Sequence, residues 1–479
     1  MLAQKPISFD HGYRFFDALK LAQIGSEGNF IVGLISEEKD PDAIFFGKIA
    51  EFDGLMGKNV WFDTKGAHVI YIIGKRRGGK SFTLGTLAEG LCSETFHIGN
   101  IKQAVLILDT LNIFWTMENE TTDTEQLKEL DKWGLKPEPM KNIVCYYPRG
   151  LKKPYTPSHY REFALKPADL EGSDWAALFG VDPILDPMGQ LLTELHEKVA
   201  IEGYKAAGSQ VKPNPNYSVS DLLLCLNKDR EIQRFAPQTI EAVRRYLKAV
   251  ERSPFFSSTG TDVRDIFKKG QVTVLLLRDL DQQIRGLIIG LLIKKIMKLR
   301  GETVECEKRL AIKKKASQFS EKSQSTDDEI DTLQKLIENG LPRGWVLIDE
   351  AHNYIPQTGI IGSKEPLKKY VNEGRNIGLS IAVTTQQPSG LDSAIRRNAD
   401  ILVIHSITMS ADLEATESML NASVPKTVAI TRTKIESHVF ENMVRELKIG
   451  YAIISSVNAN RVFLVKVRPR VTAHGGVEY

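Results

Sequence analysis

The sequence predicts an α/β layered fold, and three observations carry the prediction. Five short apolar runs, HVIYII (68–73), AVLILD (104–109), VTVLLL (272–277), WVLIDE (345–350) and LSIAVTT (379–385), are rich in Val, Ile and Leu without alternation. That is the pattern of strands buried on both faces of a mainly parallel sheet. Helical patterns follow several of them, SFTLGTLAEGLC after the first and QQIRGLIIGLLIKKIMKL after the third, as a layered core requires. Composition is ordinary: 42% hydrophobic and 26% charged over 479 residues, enough for two or three domain-sized units or one large domain with insertions.

Taken in order, residues 1–62 contain FIVGLIS, AIFFGKIAEF and KNVWFD, short apolar or alternating segments broken by Gly and Asp, which predict a small β-rich N-terminal unit. The core is expected over 63–115 and 263–479. Between Asp109 and Val272 lie about 160 residues, too many for one crossover. Pro-rich breaks (KPEPMKN, YPRGLKKPYTP, VKPNPNYS) and helical stretches (PMGQLLTELHEKVAIEGYKAA, PQTIEAVRRYLKAVERS) predict a mainly helical insertion over 116–262. A charged, Ser-rich stretch at 305–329 predicts a mobile loop or an exposed helical arm.

The first buried run opens onto GKRRGGKS, in which Gly74, Gly79, Lys80 and Ser81 satisfy the phosphate-loop spacing G-x-x-x-x-G-K-[ST] between a strand and a helix. Loop and helix N–H groups, with Gly78, Gly79 and Phe82 in the loop and first turn, would surround the β-phosphate of ATP. Lys80 would offer its ammonium to β- and γ-oxygens, and the Ser81 hydroxyl would ligate Mg²⁺. In WVLIDE, two carboxylates end a buried strand at the sheet edge where ligands of α/β proteins bind. Asp349 would hold Mg²⁺ through its water shell, and Glu350 would orient and deprotonate the attacking water. LSIAVTTQQP ends in Gln386, placed to sense the γ-phosphate or to serve as a polar strand end. Asp109 could support the metal or water, or cap the segment after its own strand.

A net charge of +3 is too small to imply nucleic acid by itself, so any basic surface is local: KRLAIKKK (308–315), KKIMKL (294–299) and Arg396 with Arg397. Those clusters read equally as solvated surface. Cys92, Cys145, Cys225 and Cys306 form no C-x-x-C pair, and no apolar run approaches the ~20 residues of a membrane span, so a reduced, cytoplasmic protein without membrane insertion is expected.

Phosphate loop, Asp-Glu strand and EGRNIGLSIAVTTQQPSGLDSAIRRNAD together resemble the HerA branch of the HerA/FtsK superfamily, and the tail VRPRVTAHGG is similar to the R-x-T-x-H-G-G ending of such chains. The resemblance covers about 62–115 and 265–479. It implies a RecA-like P-loop NTPase core assembled as a homo-oligomer, a hexameric ring around double-stranded DNA bound without sequence preference, with ATP hydrolysis driving translocation. It also implies a separate nuclease or sirtuin-like effector subunit, in DNA end processing or anti-phage defence, and a HAS-barrel-like N-terminal unit. Lys80, Ser81, Asp349, Glu350 and Gln386 fall on the family's functional positions. Arg375 matches an arginine offered to the neighbouring subunit's nucleotide. Arg77 stands where the family has glycine, Gly78 where it has serine, and Asn112 where glycine is common. Asn tolerates positive φ, while Arg77 must turn away from the phosphates or adopt strained backbone, unless Gly78 moves the flexible position by one residue. Other readings are a membrane coupling protein of the same superfamily, or an oligomeric scaffold whose bound nucleotide regulates a partner effector with little translocation.

Overall fold

The structure, a computed structural model, describes residues 14–15, 30–33, 41–50, 57–99, 102–206, 208–317, 324–420, 428–429, 440–456 and 461–476. Its centre is a 14-stranded mixed sheet. A parallel run forms the middle, in the spatial order Arg161–Phe163, Ile143–Pro148, Val272–Leu276, Ala104–Asp109, Gly344–Ile348, Leu379–Thr385, Val69–Ile73, Ile401–Ile404. All five apolar runs read from the sequence are strands here, and Val69–Ile73, Ala104–Asp109, Gly344–Ile348 and Leu379–Thr385 are buried along their whole length. Covering by helices on both faces explains why they lack alternation.

Beyond Ile401–Ile404 the sheet turns antiparallel through Tyr451–Ser456 and Arg461–Val467, and then takes in Ala43–Ile49 and Asn59–Asp63. Of the described strands of 1–62, Phe30–Val32, Ala43–Ile49 and Asn59–Asp63 continue the main sheet, because the C-terminal strand Arg461–Val467 pairs with Ala43–Ile49, while Arg14–Phe15 pairs apart from it with Val428–Ala429. No local pattern announces a partner at the other end of the chain.

The 116–262 stretch holds the helices Thr124–Trp133, Gly172–Leu178, Pro187–His196, Val219–Lys228 and Pro237–Glu251. It is not purely an appendage, since Ile143–Pro148 and Arg161–Phe163 add two parallel strands to the core edge. The apolar run IVCYY is strand-forming, but the prolines just after it mask the signal. Of the two readings of 305–329, a mobile loop or a helical arm, the second holds, for it is helical wherever it is described. Gln282–Ser317 is one helix of 36 residues and Gln324–Glu338 packs back against it. Arg309 with Glu305, and Lys313 with Glu329, offset the charges that suggested a loop.

Candidate nucleotide site

Parallel strands bring their C-terminal ends to one edge, and six loops meet there. The first carries the phosphate loop. Gly79 has φ 101° and leads into the helix Lys80–Cys92, whose first turn has neither a side-chain cap nor an acidic residue, leaving its N–H groups for an anion. Arg77 itself takes the left-handed backbone at φ 62°, so Gly78 does not relieve it; Gly78 is instead needed because a Cβ there would meet the Lys75 carbonyl at 2.9 Å. Left-handed backbone at a non-glycine costs roughly 1–3 kcal/mol and is characteristic of working sites. Asn112 also adopts positive φ, at 56°, which suits asparagine. Gly74 fits because a Cβ there would come within 2.7 Å of the His405 side chain.

Lys80 is buried, its Nζ donating to the Lys75 carbonyl at 3.0 Å and lying 3.7 Å from Glu350 Oε1. Burial lowers its pKa, opposed by Glu350 and Asp349. Ser81 Oγ donates to Asp349 Oδ2 at 2.6 Å, and the Thr384 hydroxyl donates to Asp349 Oδ1. Burial raises the Asp349 pKa, and those two hydroxyls work against it. Glu350 has left-handed backbone, φ 51°, its N–H 3.1 Å from Thr384 Oγ1. Its Oε1 accepts from the Gln386 amide, while Oε2 is buried with no hydrogen bond and His352 Nδ1 3.4 Å away. A carboxylate with one oxygen held and the other without a hydrogen-bond partner keeps an acceptor lone pair for a proton from water. Ser81 and Asp349 are hard oxygen donors within hydrogen-bond reach of one another, which fits Mg²⁺ held jointly with phosphates.

These groups face a cavity of about 850 Å³ lined by Gly78, Gly79, Lys80, Ser81, Phe82, Glu350 and Gln386, large enough for a nucleotide. Asp349 lies under it, bonded to Ser81. The cavity also shows residues that sequence reasoning missed: Arg278, His405, Trp133, Lys466 and the tail residues 474–476. Arg278 and His405 each follow a buried strand at the same edge, which was the available signal. His405 Nδ1 faces the Tyr451 carbonyl at 3.0 Å and must therefore carry the hydrogen, so Nε2 accepts from Thr83 at 2.9 Å. Burial pushes its pKa down to about 4, keeping the ring neutral against the phosphate loop.

The tail motif is an anchor. Arg468 Nη1 donates to Glu89 Oε2 at 2.6 Å and Arg468 Nη2 to the Thr86 carbonyl at 2.8 Å, both on the phosphate-loop helix. Arg470 lies against Gly85, where a Cβ would meet its Nη1 at 2.7 Å, and Thr472 Oγ1 donates to Glu89 Oε1 at 2.7 Å. The anchor sets His474 against the Phe82 ring, centroids 5.5 Å apart, and both line the cavity.

Two expectations change. Asp109 is the cap rather than a metal ligand: it accepts from the N–H groups of Leu111, Ile113 and Phe114 at 3.2, 3.2 and 2.8 Å, and burial raises its pKa to about 6. In the KKIMKL cluster, Lys294 pairs with Asp174 at 2.7 Å and Lys295 with Asp169, bracing the 116–262 segment against the long helix. Arg375 lies away from this cavity. Its Nη2 pairs with Asp400 at 3.1 Å, at the opposite sheet edge where Ile401–Ile404 begins.

With this geometry in place, comparison with known proteins is specific. Residues 72–296 match the family described as "Helicase HerA, central domain". The DNA double-strand break repair helicase HerA of Pyrococcus furiosus is 25% identical over 195 residues, 38% of this chain and 34% of that protein. Over these residues the chain is similar to HerA. The HerA match runs through 116–262, which the sequence motifs had not reached, and stops before Asp349, Glu350, Arg375 and Gln386. It spans about a third of the curated relative's length. Among solved structures, VirB4 of Thermoanaerobacter pseudethanolicus aligns at 14% identity over 90% of this chain and 96% of its own, TM-score 0.49. The plasmid coupling protein TrwB in complex with ADP and Mg²⁺ aligns at 14% identity over 85% and 86%, TM-score 0.47. No helix among the described residues is long and apolar enough to cross a membrane.

Proposed function

We propose that this chain is the ATP-hydrolysing subunit of a HerA-like ring, a homo-oligomer that moves along double-stranded DNA without sequence preference and serves a separate effector subunit such as a nuclease. The observation that carries it is the convergence of Lys80, Ser81, Asp349, Glu350 and Gln386 on one cavity. Loop and helix N–H groups with Lys80 bind the triphosphate. Glu350 accepts the proton of the attacking water, Gln386 holds the carboxylate in place, and the left-handed backbone at 350 aims it. Ser81 and Asp349 would hold Mg²⁺, which when bound would supply positive charge against the phosphates. Arg375 from the next subunit then stabilises charge developing at the γ-phosphate, which makes turnover depend on assembly.

The test is the ATPase rate of the purified oligomer with and without duplex DNA. Turnover stimulated by DNA, lost on Lys80→Ala, supports the motor. Turnover indifferent to DNA, with a partner's activity needing only bound nucleotide, supports the scaffold reading instead.

A further inference from the structure

The buried cluster around His68 has no role in the nucleotide cavity, yet it holds Arg375. Asp400 Oδ1 takes Arg375 Nη2 at 3.1 Å and the Val69 N–H at 2.8 Å; Asp400 Oδ2 faces His68 Nδ1 at 2.6 Å. Behind it, His68 Nε2 faces Asp63 Oδ2 at 2.9 Å, and Asp63 also accepts the Gly66 N–H at 2.8 Å. The His68 backbone is fixed as well: its N–H donates to Ser380 Oγ at 3.0 Å, and its carbonyl accepts from Ile381 at 2.9 Å. Burial alone would lower the pKa of His68, but Asp400 and Asp63 outweigh it and raise it to about 9, so the ring is a cation between two carboxylates.

The arginine at the end of this chain of contacts is only half committed. Its side chain is 37% exposed, and both of its contacts, to Asp400 and to the Asn398 carbonyl, use Nη2. A planar guanidinium held by one nitrogen keeps its other edge free for a second acceptor. Asp400 is also joined along the chain to the nucleotide side of the same subunit. It precedes the strand Ile401–Ile404, whose far end delivers His405 and Ser406 to the phosphate loop, with Lys75 N–H donating to the Ser406 carbonyl at 2.7 Å. One strand thus ties both ends together over roughly 17 Å.

We propose that Asp400 and His68, backed by Asp63, are positioning residues that hold Arg375 in the geometry it presents to a neighbouring subunit's nucleotide. The proposal rests on Arg375 acting in trans. Asp400→Asn and His68→Gln should lower kcat on the order of ten- to a hundredfold while KM and nucleotide binding stay near wild type, as expected when a catalytic group is misplaced. Their subunits retain an intact cavity, so mixing either with Glu350→Gln subunits, which carry an intact Arg375 assembly, should recover activity.

The outcomes separate the two claims. If Arg375→Ala keeps full turnover, the trans reading fails and this proposal with it. If Arg375→Ala is inactive while Asp400→Asn and His68→Gln turn over normally, only the positioning role is overturned. Variants that lose nucleotide binding together with turnover, and are not recovered by mixing, show a structural role and overturn it too.

Discussion

At the scale of single residues, the site divides labour between two adjacent carboxylates by giving them different surroundings. Asp349 is fully buried and receives two hydroxyl hydrogen bonds, so it is fixed toward Ser81. Glu350 lines the cavity and keeps one buried oxygen without a hydrogen bond. Glu350→Gln preserves shape but removes the carboxylate proposed to accept the proton. It should bind ATP normally and turn over at least ~100-fold more slowly, measured by phosphate release beside a nucleotide-binding titration. His68 makes a different prediction. Its folded pKa of about 9 lies above the ordinary 6.5, so its pairing contributes full stability below pH 6.5, and the contribution fades as pH rises through about 9. The stability difference between wild type and His68→Gln, measured by urea unfolding, should be larger at pH 6 than at pH 9.5. Asp349 and Glu350 were legible in the sequence because they directly follow a buried strand, and Lys80 and Ser81 because the phosphate-loop spacing links one to a helix. His68 was not: it opens HVIYII, and nothing local reveals that Asp400, far along the chain, supplies its partner.

At the scale of elements, the five core strands were readable because burial on both faces removes alternation, and the phosphate-loop helix because its start is dictated by the motif. The segments that escaped depend on distant pairing. IVCYYP becomes a core strand only beside Val272–Leu276, and the tail becomes part of the nucleotide site only because Glu89 receives it. Glu89 is almost fully buried with Arg468 and Arg470, and burial lowers the Arg470 pKa to about 10 even with Glu89 beside it. Removing one partner of such a cluster strands the others without compensation, which typically costs about 3–5 kcal/mol. Glu89→Gln should therefore lower the urea midpoint markedly. Because the tail residues line the cavity, Glu89→Gln should also raise KM for ATP more than it lowers kcat. A variant with a lowered midpoint and an unchanged KM would show that the tail braces the helix without shaping the nucleotide pocket.

At the scale of the whole molecule, the decisive feature is that the two arginine candidates sit at opposite edges of the sheet. Arg278 lines the chain's own cavity, whereas Arg375 sits where Ile401–Ile404 begins and the phosphate loop sits where the neighbouring strand ends. A strand of the length of Leu379–Thr385 spans roughly 20 Å, too far for any side chain to cross within one subunit. If Arg375 completes the site, the catalytic unit is a pair of adjacent subunits, and specific activity must depend on protein concentration. ATPase activity per subunit should rise steeply from nanomolar to micromolar protein and then level off, in step with ring formation followed by light scattering in ATP and Mg²⁺. Arg375→Ala should form the same particles and bind ATP, yet remain inactive at the plateau. Specific activity that is flat with dilution, in a strictly monomeric particle, with Arg278→Ala inactive and Arg375→Ala active, would place the catalytic arginine within the chain and remove the physical reason for a ring.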